Sequence, residues 1–268
     1  MLRDITIGQY FPGNSVVHRM DPRFKIVMTL LFIVMLFLGE HLYSLGYGLV
    51  YCLIALLLSR IPVKMIWKSV RPLLPILLIT AALDMFFLDD GTVYFHWHFL
   101  KITSDGVNTA VLMVVRIIVL LVGSSLLTYT TSPIALTDAI ERLLAPLKRL
   151  HVPVHAFAMM MTIALRFIPT LLEETDRIMT AQKARGASFS EGSMLQRAKA
   201  LVPIFVPLFV SSFRRAEELA TAMECRCYHG GEGRTKLSEL HYQKRDYLAY
   251  LSGAALLAVM IVLRQLGL

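Results

Sequence analysis

The sequence predicts an all-α polytopic membrane protein, with four N-terminal transmembrane helices, long helices on the cytoplasmic face and one C-terminal transmembrane helix. Three observations carry this expectation. The 268 residues are 56% hydrophobic and have a mean hydropathy of +0.61, too apolar for an ordinary soluble domain. The chain still carries a formal net charge of +8, so basic segments separate apolar runs, as when Lys and Arg gather on the cytoplasmic side of a bilayer. Those basic residues punctuate the runs and form no single stripe, which argues against nucleic acid as a partner. The expected division is residues 1–130 for the N-terminal membrane helices, 131–246 for the cytoplasmic region and 247–268 for the last span.

The first apolar run covers residues 24–38. Asp21 fits the N-cap, and Pro22 fits the first helical position, where its missing N–H costs nothing. Arg23 and Lys25 are expected to snorkel to the interface. A second run, residues 42–58, follows a short link with Glu40 and His41, so the two should be antiparallel neighbours. Runs at 73–88 and 107–127 form another such pair, and a last run covers 247–263. Flanking residues extend those shorter than the roughly 20 residues a bilayer needs.

The link after the second run holds Arg60, Lys64, Lys68 and Arg71 with no acid, which assigns it to the cytoplasm. The link after the first run and the one at 89–103 are poor in Lys and Arg, so both should lie outside. The N-terminus is then cytoplasmic and the C-terminus outside, in a multi-pass cell-membrane protein. The first 23 residues lack the apolar core of a cleavable signal.

Residues 128–246 differ in character. Ser132-Pro133 marks a helix start, with apolar positions at helical spacing through residue 150. The apolar run 156–172 holds Arg166 and Pro169 and runs into the charged segment 173–183. The run 201–213 holds Pro203 and Pro207 and continues into the charged segment 214–224. Neither reads as a clean span, and long helices along the cytoplasmic face account for both. A sixth and seventh span are the alternative.

These two segments end alike. One closes on Ala184-Arg185-Gly186 and the other on Cys225-Arg226-Cys227, with Gly230 and Gly231 just beyond. Glycine past the last turn permits the left-handed residue that closes a helix, and an Arg there is favoured by the macrodipole by ~0.3–1 kcal/mol. Small neighbours leave the guanidinium as the protruding group, free to enter an acidic groove. Two such tips suit a partner with two similar grooves.

Other candidates carry less. Cys225, Cys227 and His229 supply three metal ligands, but the spacing is C-x-C and a closed zinc site needs a fourth, so no metal is expected. His96 and His98, around Trp97, belong naturally at a membrane interface. Asp84 and Arg116 are intramembrane charges on successive spans; a structural or protein-facing role is preferred to an ion pathway. Met159, Met160 and Met161 offer an adaptable surface. The odd cysteine count makes no disulfide framework, and reduced thiols are the plain reading. No phosphate-binding loop, H-E-x-x-H or G-x-S-x-G occurs, so no catalytic residue is assigned and any energy must come from a partner.

The order of motifs resembles the EcfT/CbiQ family. The opening Gly8-Gln9-Tyr10-Phe11-Pro12-Gly13-Asn14-Ser15, followed by His18-Arg19-Met20-Asp21-Pro22-Arg23-Phe24-Lys25, is similar to the family's N-terminus. Ser132-Pro133 through Pro146-Leu147-Lys148 and Pro153 match further on. Arg166-Phe167-Ile168-Pro169 with Glu173-Glu174, then Ala181-Gln182-Lys183-Ala184-Arg185-Gly186, resembles its most specific block. The resemblance spans about residues 8–265. It implies the transmembrane T component of an energy-coupling-factor (ECF) importer, which joins two ABC-type ATPases to a substrate-binding S component for uptake of a vitamin or metal ion. It further implies that the motifs at Arg185 and Arg226 insert into grooves on the two ATPases, and that the chain is non-catalytic and needs no cofactor. Cys225 and Cys227 depart from the family's Ala and Gly at the second motif. The rival readings are a self-contained secondary carrier using Asp84 and Arg116, and a membrane metal enzyme using Cys225, Cys227 and His229.

Overall fold

A computed structural model describes residues 10–39, 41–87, 93–97, 100–187, 189, 193–230 and 243–265. The helices are α1 (Pro22–Leu38), α2 (Leu42–Ser59), α3 (Val63–Val70), α4 (Leu74–Phe87), α5 (Ser104–Thr130), α6 (Pro133–Leu143), α7 (Val154–Ala184), α8 (Met194–Cys225) and α9 (Lys244–Gln265). One antiparallel hairpin, β1 (Val93–Trp97) and β2 (Leu100–Thr103), interrupts them. The chain is an all-α polytopic membrane protein. By length and composition α2, the stretch Val63–Phe86, α5, α7 and α8 can each cross a bilayer, and Asp246–Val262 is a shorter apolar helix.

Several expectations meet their physical cause directly. Asp21 caps α1 by accepting from the Arg23 N–H at 2.8 Å, with Pro22 at the first helical position. The α2 helix closes on Arg60 in the left-handed region (φ 55°). The link at 60–71, expected as a simple cytoplasmic connection, contains α3. The link at 89–103, expected as an outer loop, carries the hairpin; His98 lies outside the described residues.

The chain divides into two compact units, one of Gly8–Ala139 with Leu240–Leu268 and one containing Ile140–Glu239. In the first, α5 packs against α1, α2, α3 and α4, and α9 packs against α1 and α2. The core joins Phe32, Met35 and Leu36 of α1 to Cys52 of α2, Val119 of α5, and Leu256 and Met260 of α9. A close approach at Gly123 lets the Phe32 ring in: a Cβ there would lie 2.4 Å from the ring.

The polar lid of this bundle departs from expectation. Lys25 does not snorkel to water; it is 5% exposed. Its Nζ donates to the Thr130 carbonyl at the end of α5 (2.9 Å), to Thr131 Oγ1 (3.3 Å) and to the His18 carbonyl (3.3 Å). An ammonium satisfying the last carbonyl of a helix is a C-terminal cap made by a side chain from elsewhere in the chain. Asp246, 1% exposed, accepts from the Asp21 N–H (3.0 Å) and from the Gln243 N–H (2.8 Å). The start of α1, the end of α5 and the start of α9 are thus tied together.

The second unit is built on α7 and α8. The apolar and charged segments of each pair are one unbroken helix, of 31 residues in α7 and 32 in α8. Pro169, Pro203 and Pro207 lie inside them. The run at 201–213 looked too short for a span because its flanks are charged; inside a continuous helix, length no longer separates a span from a surface helix. Ser193 opens α8 with a capping box, its Oγ accepting from the Gln196 N–H while the Gln196 side chain accepts from the Ser193 N–H. At the start of α7, His155 Nδ1 meets Glu141 Oε1 at 2.8 Å.

Candidate functional site

The ends of α7 and α8 share one backbone geometry. At the first, the Gly186 N–H donates to the Lys183 carbonyl (2.9 Å) and the Ala187 N–H to the Gln182 carbonyl (3.0 Å). At the second, the Cys227 N–H donates to the Glu224 carbonyl (2.8 Å) and the Tyr228 N–H to the Met223 carbonyl (3.1 Å). Each pair is a Schellman closure, with the 5→2 and 6→1 bonds that satisfy the last free carbonyls. Arg185 (φ −86°, ψ 6°) and Arg226 (φ −94°, ψ 14°) occupy the same C-cap position. The likeness first seen in residue pattern is therefore a likeness of atoms.

All six residues of the two tips, Ala184, Arg185, Gly186, Cys225, Arg226 and Cys227, are exposed. Gly186 has φ +87° and open space around its α-carbon, so backbone conformation and not crowding demands glycine. The second tip places Cys227 in that same left-handed slot at φ 54°, where a side chain costs about 1 kcal/mol or more. Cys227→Gly is accordingly expected to steady the tip by ~1 kcal/mol, read as roughly fivefold slower hydrogen exchange at the closing amides of residues 227 and 228.

The two helices pack antiparallel. Gln182 Nε2 donates to the Pro203 carbonyl (3.4 Å), Arg215 Nη2 pairs with Glu174 Oε2 (2.6 Å), and the Tyr228 hydroxyl reaches Met159 Sδ (2.9 Å). As residue numbers rise along α7, the facing numbers fall along α8. Arg226 therefore lies beside the beginning of α7 and Arg185 at its end. The tips are roughly 35–40 Å apart, at about 1.5 Å per residue between Met159 and Arg185. Along α8, Val202, Phe205, Val206, Phe209, Val210 and Phe213 form an exposed stripe at helical spacing, each more than half exposed.

The remaining candidates fall elsewhere. Arg116 of α5 sends Nη2 to the Gly39 carbonyl at 2.6 Å, satisfying the end of α1, while Asp84 is half-buried in α4. His229 Nδ1 bonds the Cys227 carbonyl (2.9 Å), and among the described residues no three His, Cys, Asp or Glu side chains cluster to hold a metal. Met160 and Met161 are exposed.

Sequence reasoning missed the work done by the opening block. The Phe11 N–H donates to the Tyr129 carbonyl (2.9 Å), Ser15 Oγ bonds His18 Nδ1 (2.7 Å), and His18 Nε2 bonds the Phe11 carbonyl (2.9 Å). Burial lowers the pKa of the His18 imidazole, outweighing the opposing bond from Phe11, and the Lys25 charge acts in the same direction. At Asp21 burial acts to raise the carboxyl's pKa, but the hydrogen bonds and charge of Arg23, with Lys25 beyond, outweigh it and hold the group below its ordinary value. The signal available was the density of polar residues, Ser15, His18, Asp21, Arg23 and Lys25, ahead of an apolar run.

Residues 13–237 match the CbiQ family, described as cobalt transport protein. The chain is 53% identical to the "Energy-coupling factor transporter transmembrane protein EcfT" of Ruminiclostridium cellulolyticum, over 92% of each chain. Proteins of the same description from Acidaminococcus fermentans and Lactococcus lactis subsp. cremoris are 52% and 45% identical, over 98% and 94% of each chain. Many-helix architecture, apolar helices and full-length similarity agree: the chain belongs to the EcfT/CbiQ family of transmembrane T components of ECF transporters.

Proposed function

We propose that this T component docks two cytosolic ABC-type ATPases, one on Arg185 and one on Arg226, and transmits their ATP-driven motion to an S component that carries a vitamin or metal ion inward. The observation that carries this is the repeated helix closure, which displays one exposed arginine at each end of an antiparallel pair. Each guanidinium offers five donors to a carboxylate-lined groove. The exposed apolar stripe on α8 supplies the surface for the S component. Hydrolysis belongs to the partners, and the chain acts as lever and not as catalyst.

The antiparallel packing also bears on how α7 and α8 meet the membrane. Were both to cross it, their C-terminal ends would emerge on opposite sides, and one arginine would face away from cytosolic ATPases. Lying along the cytoplasmic face brings both within reach. Charge favours the same placement, since Glu173, Glu174, Asp176, Arg177 and Lys183 in α7 and Arg214, Arg215, Glu217 and Glu218 in α8 would be expensive inside hydrocarbon. The network of Lys25 and Asp246 agrees with an N-terminus inside and a C-terminus outside, because it gathers the start of α1, the end of α5 and the start of α9 on one side.

Sidedness tests this. A membrane-impermeant maleimide should label native Cys225 and Cys227 in inside-out vesicles and not in right-side-out ones. A cysteine at Ala184→Cys, in a Cys225→Ser/Cys227→Ser background, should behave identically. Labelling of the two tips from opposite sides would reject the in-plane arrangement.

A further inference from the structure

We propose that α3 is an interfacial helix that binds the headgroups of anionic phospholipids. Its inner face is fixed to the bundle: Val70 is buried, the Ser69 and Tyr129 hydroxyls are hydrogen-bonded, and the Tyr129 hydroxyl donates to the Met65 carbonyl (3.3 Å). Val63 and Trp67 are 71% and 57% exposed. At about 100° per residue they lie within about 60° of Val70, while Lys64, Lys68 and Arg71, all exposed, turn roughly 100–160° away from it. No Asp or Glu occurs between Glu40 and Asp84, and no ion pair among the described residues involves these three cations. Among the described residues the stripe is a concentrated positive charge without an ion-pair partner.

Chain continuity sets its depth. The apolar helix α2 ends at Ser59 and α4 begins at Leu74, so α3 is bound at both ends to helices that enter the bilayer. As the first eight residues of the stretch Val63–Phe86, it forms the end of that span, where hydrocarbon meets water. A tryptophan and a valine flanking lysines at that depth form the amphipathic face of a membrane-surface helix, the rings and chains dipping inward and the ammonium groups meeting phosphate. An acidic protein surface would match the charge but not the exposed Trp67 and Val63 at that level. Because Tyr129 sits at the end of α5, lipid bound to α3 would also steady the point from which the chain leaves the bundle.

Trp67 is its own probe. In a Trp97→Phe background, which leaves one of the two tryptophans, the full chain is placed in bilayers doped with brominated phosphatidylglycerol or, at equal mole fraction, brominated phosphatidylcholine. Quenching should report about fivefold enrichment of the anionic lipid around Trp67, the effect of roughly one basic residue at a charged surface. High salt should weaken it, and Lys64→Gln/Lys68→Gln/Arg71→Gln should abolish it while quenching by phosphatidylcholine persists. Equal quenching by the two lipids, selectivity unchanged in the triple variant, or no quenching by either would each overturn the proposal. Loss of the anionic preference only when purified ATPases are added would also count against it, since the stripe would then be a protein contact.

Discussion

Replacing Arg185 and Arg226 together by Glu should abolish capture of both ATPases while leaving the chain folded. A buried interfacial arginine is commonly worth about 2 kcal/mol or more, near 30-fold in affinity; reversal to Glu adds repulsion within an acidic groove. The tips are roughly 35–40 Å apart along the helix pair, too far to share partners, so their effects should add. Each single variant should weaken binding ~30-fold or more, and the pair ~1000-fold. Folding should be spared because both side chains are exposed and a C-cap does not depend on arginine. Unchanged stoichiometry of ATPases on the double variant would contradict the docking assignment.

The largest stability effect is expected at Asp246→Ala. Its carboxylate takes N–H groups from Asp21 and Gln243, and it supplies negative charge to buried Lys25. Removing it leaves the buried Asp21 N–H and the part-buried Gln243 N–H without this acceptor and takes one of two carboxylates from the surroundings of Lys25, at about 2–4 kcal/mol. A Tm fall of ~10 °C in detergent follows. Asp246→Asn keeps an acceptor oxygen and discards the charge, so it should lose less. Equal stability of the alanine variant and the parent would show that the polar lid does not hold α1 to α9.

What the sequence revealed was local. Asp21 and Pro22 announce α1 because capping chemistry acts within a turn, and Arg185-Gly186 announces a helix end for the same reason. The likeness of the second tip was visible despite Cys227, since the pattern of small residues around an arginine persists even where glycine is absent. The burial of Lys25 was not legible: its partners Thr130 and Thr131 lie more than a hundred residues away, and a lysine beside an apolar run ordinarily snorkels. Asp246 meets Asp21 across 225 positions, beyond any periodicity. The α3 helix was hidden because eight residues between two apolar runs read as a basic link. The antiparallel course of α7 and α8, which separates the tips, depends on pairs such as Glu174 with Arg215, and no spacing rule identifies those.

Site-directed photocrosslinking from both tips in the assembled membrane complex is the most direct measurement. A photoreactive residue replacing Ala184, and separately one replacing Cys225, should each give an adduct with an ATPase subunit, and a chain carrying both should give a species with two ATPases attached. Adducts from one tip alone, or adducts with lipid only, would contradict two-point docking.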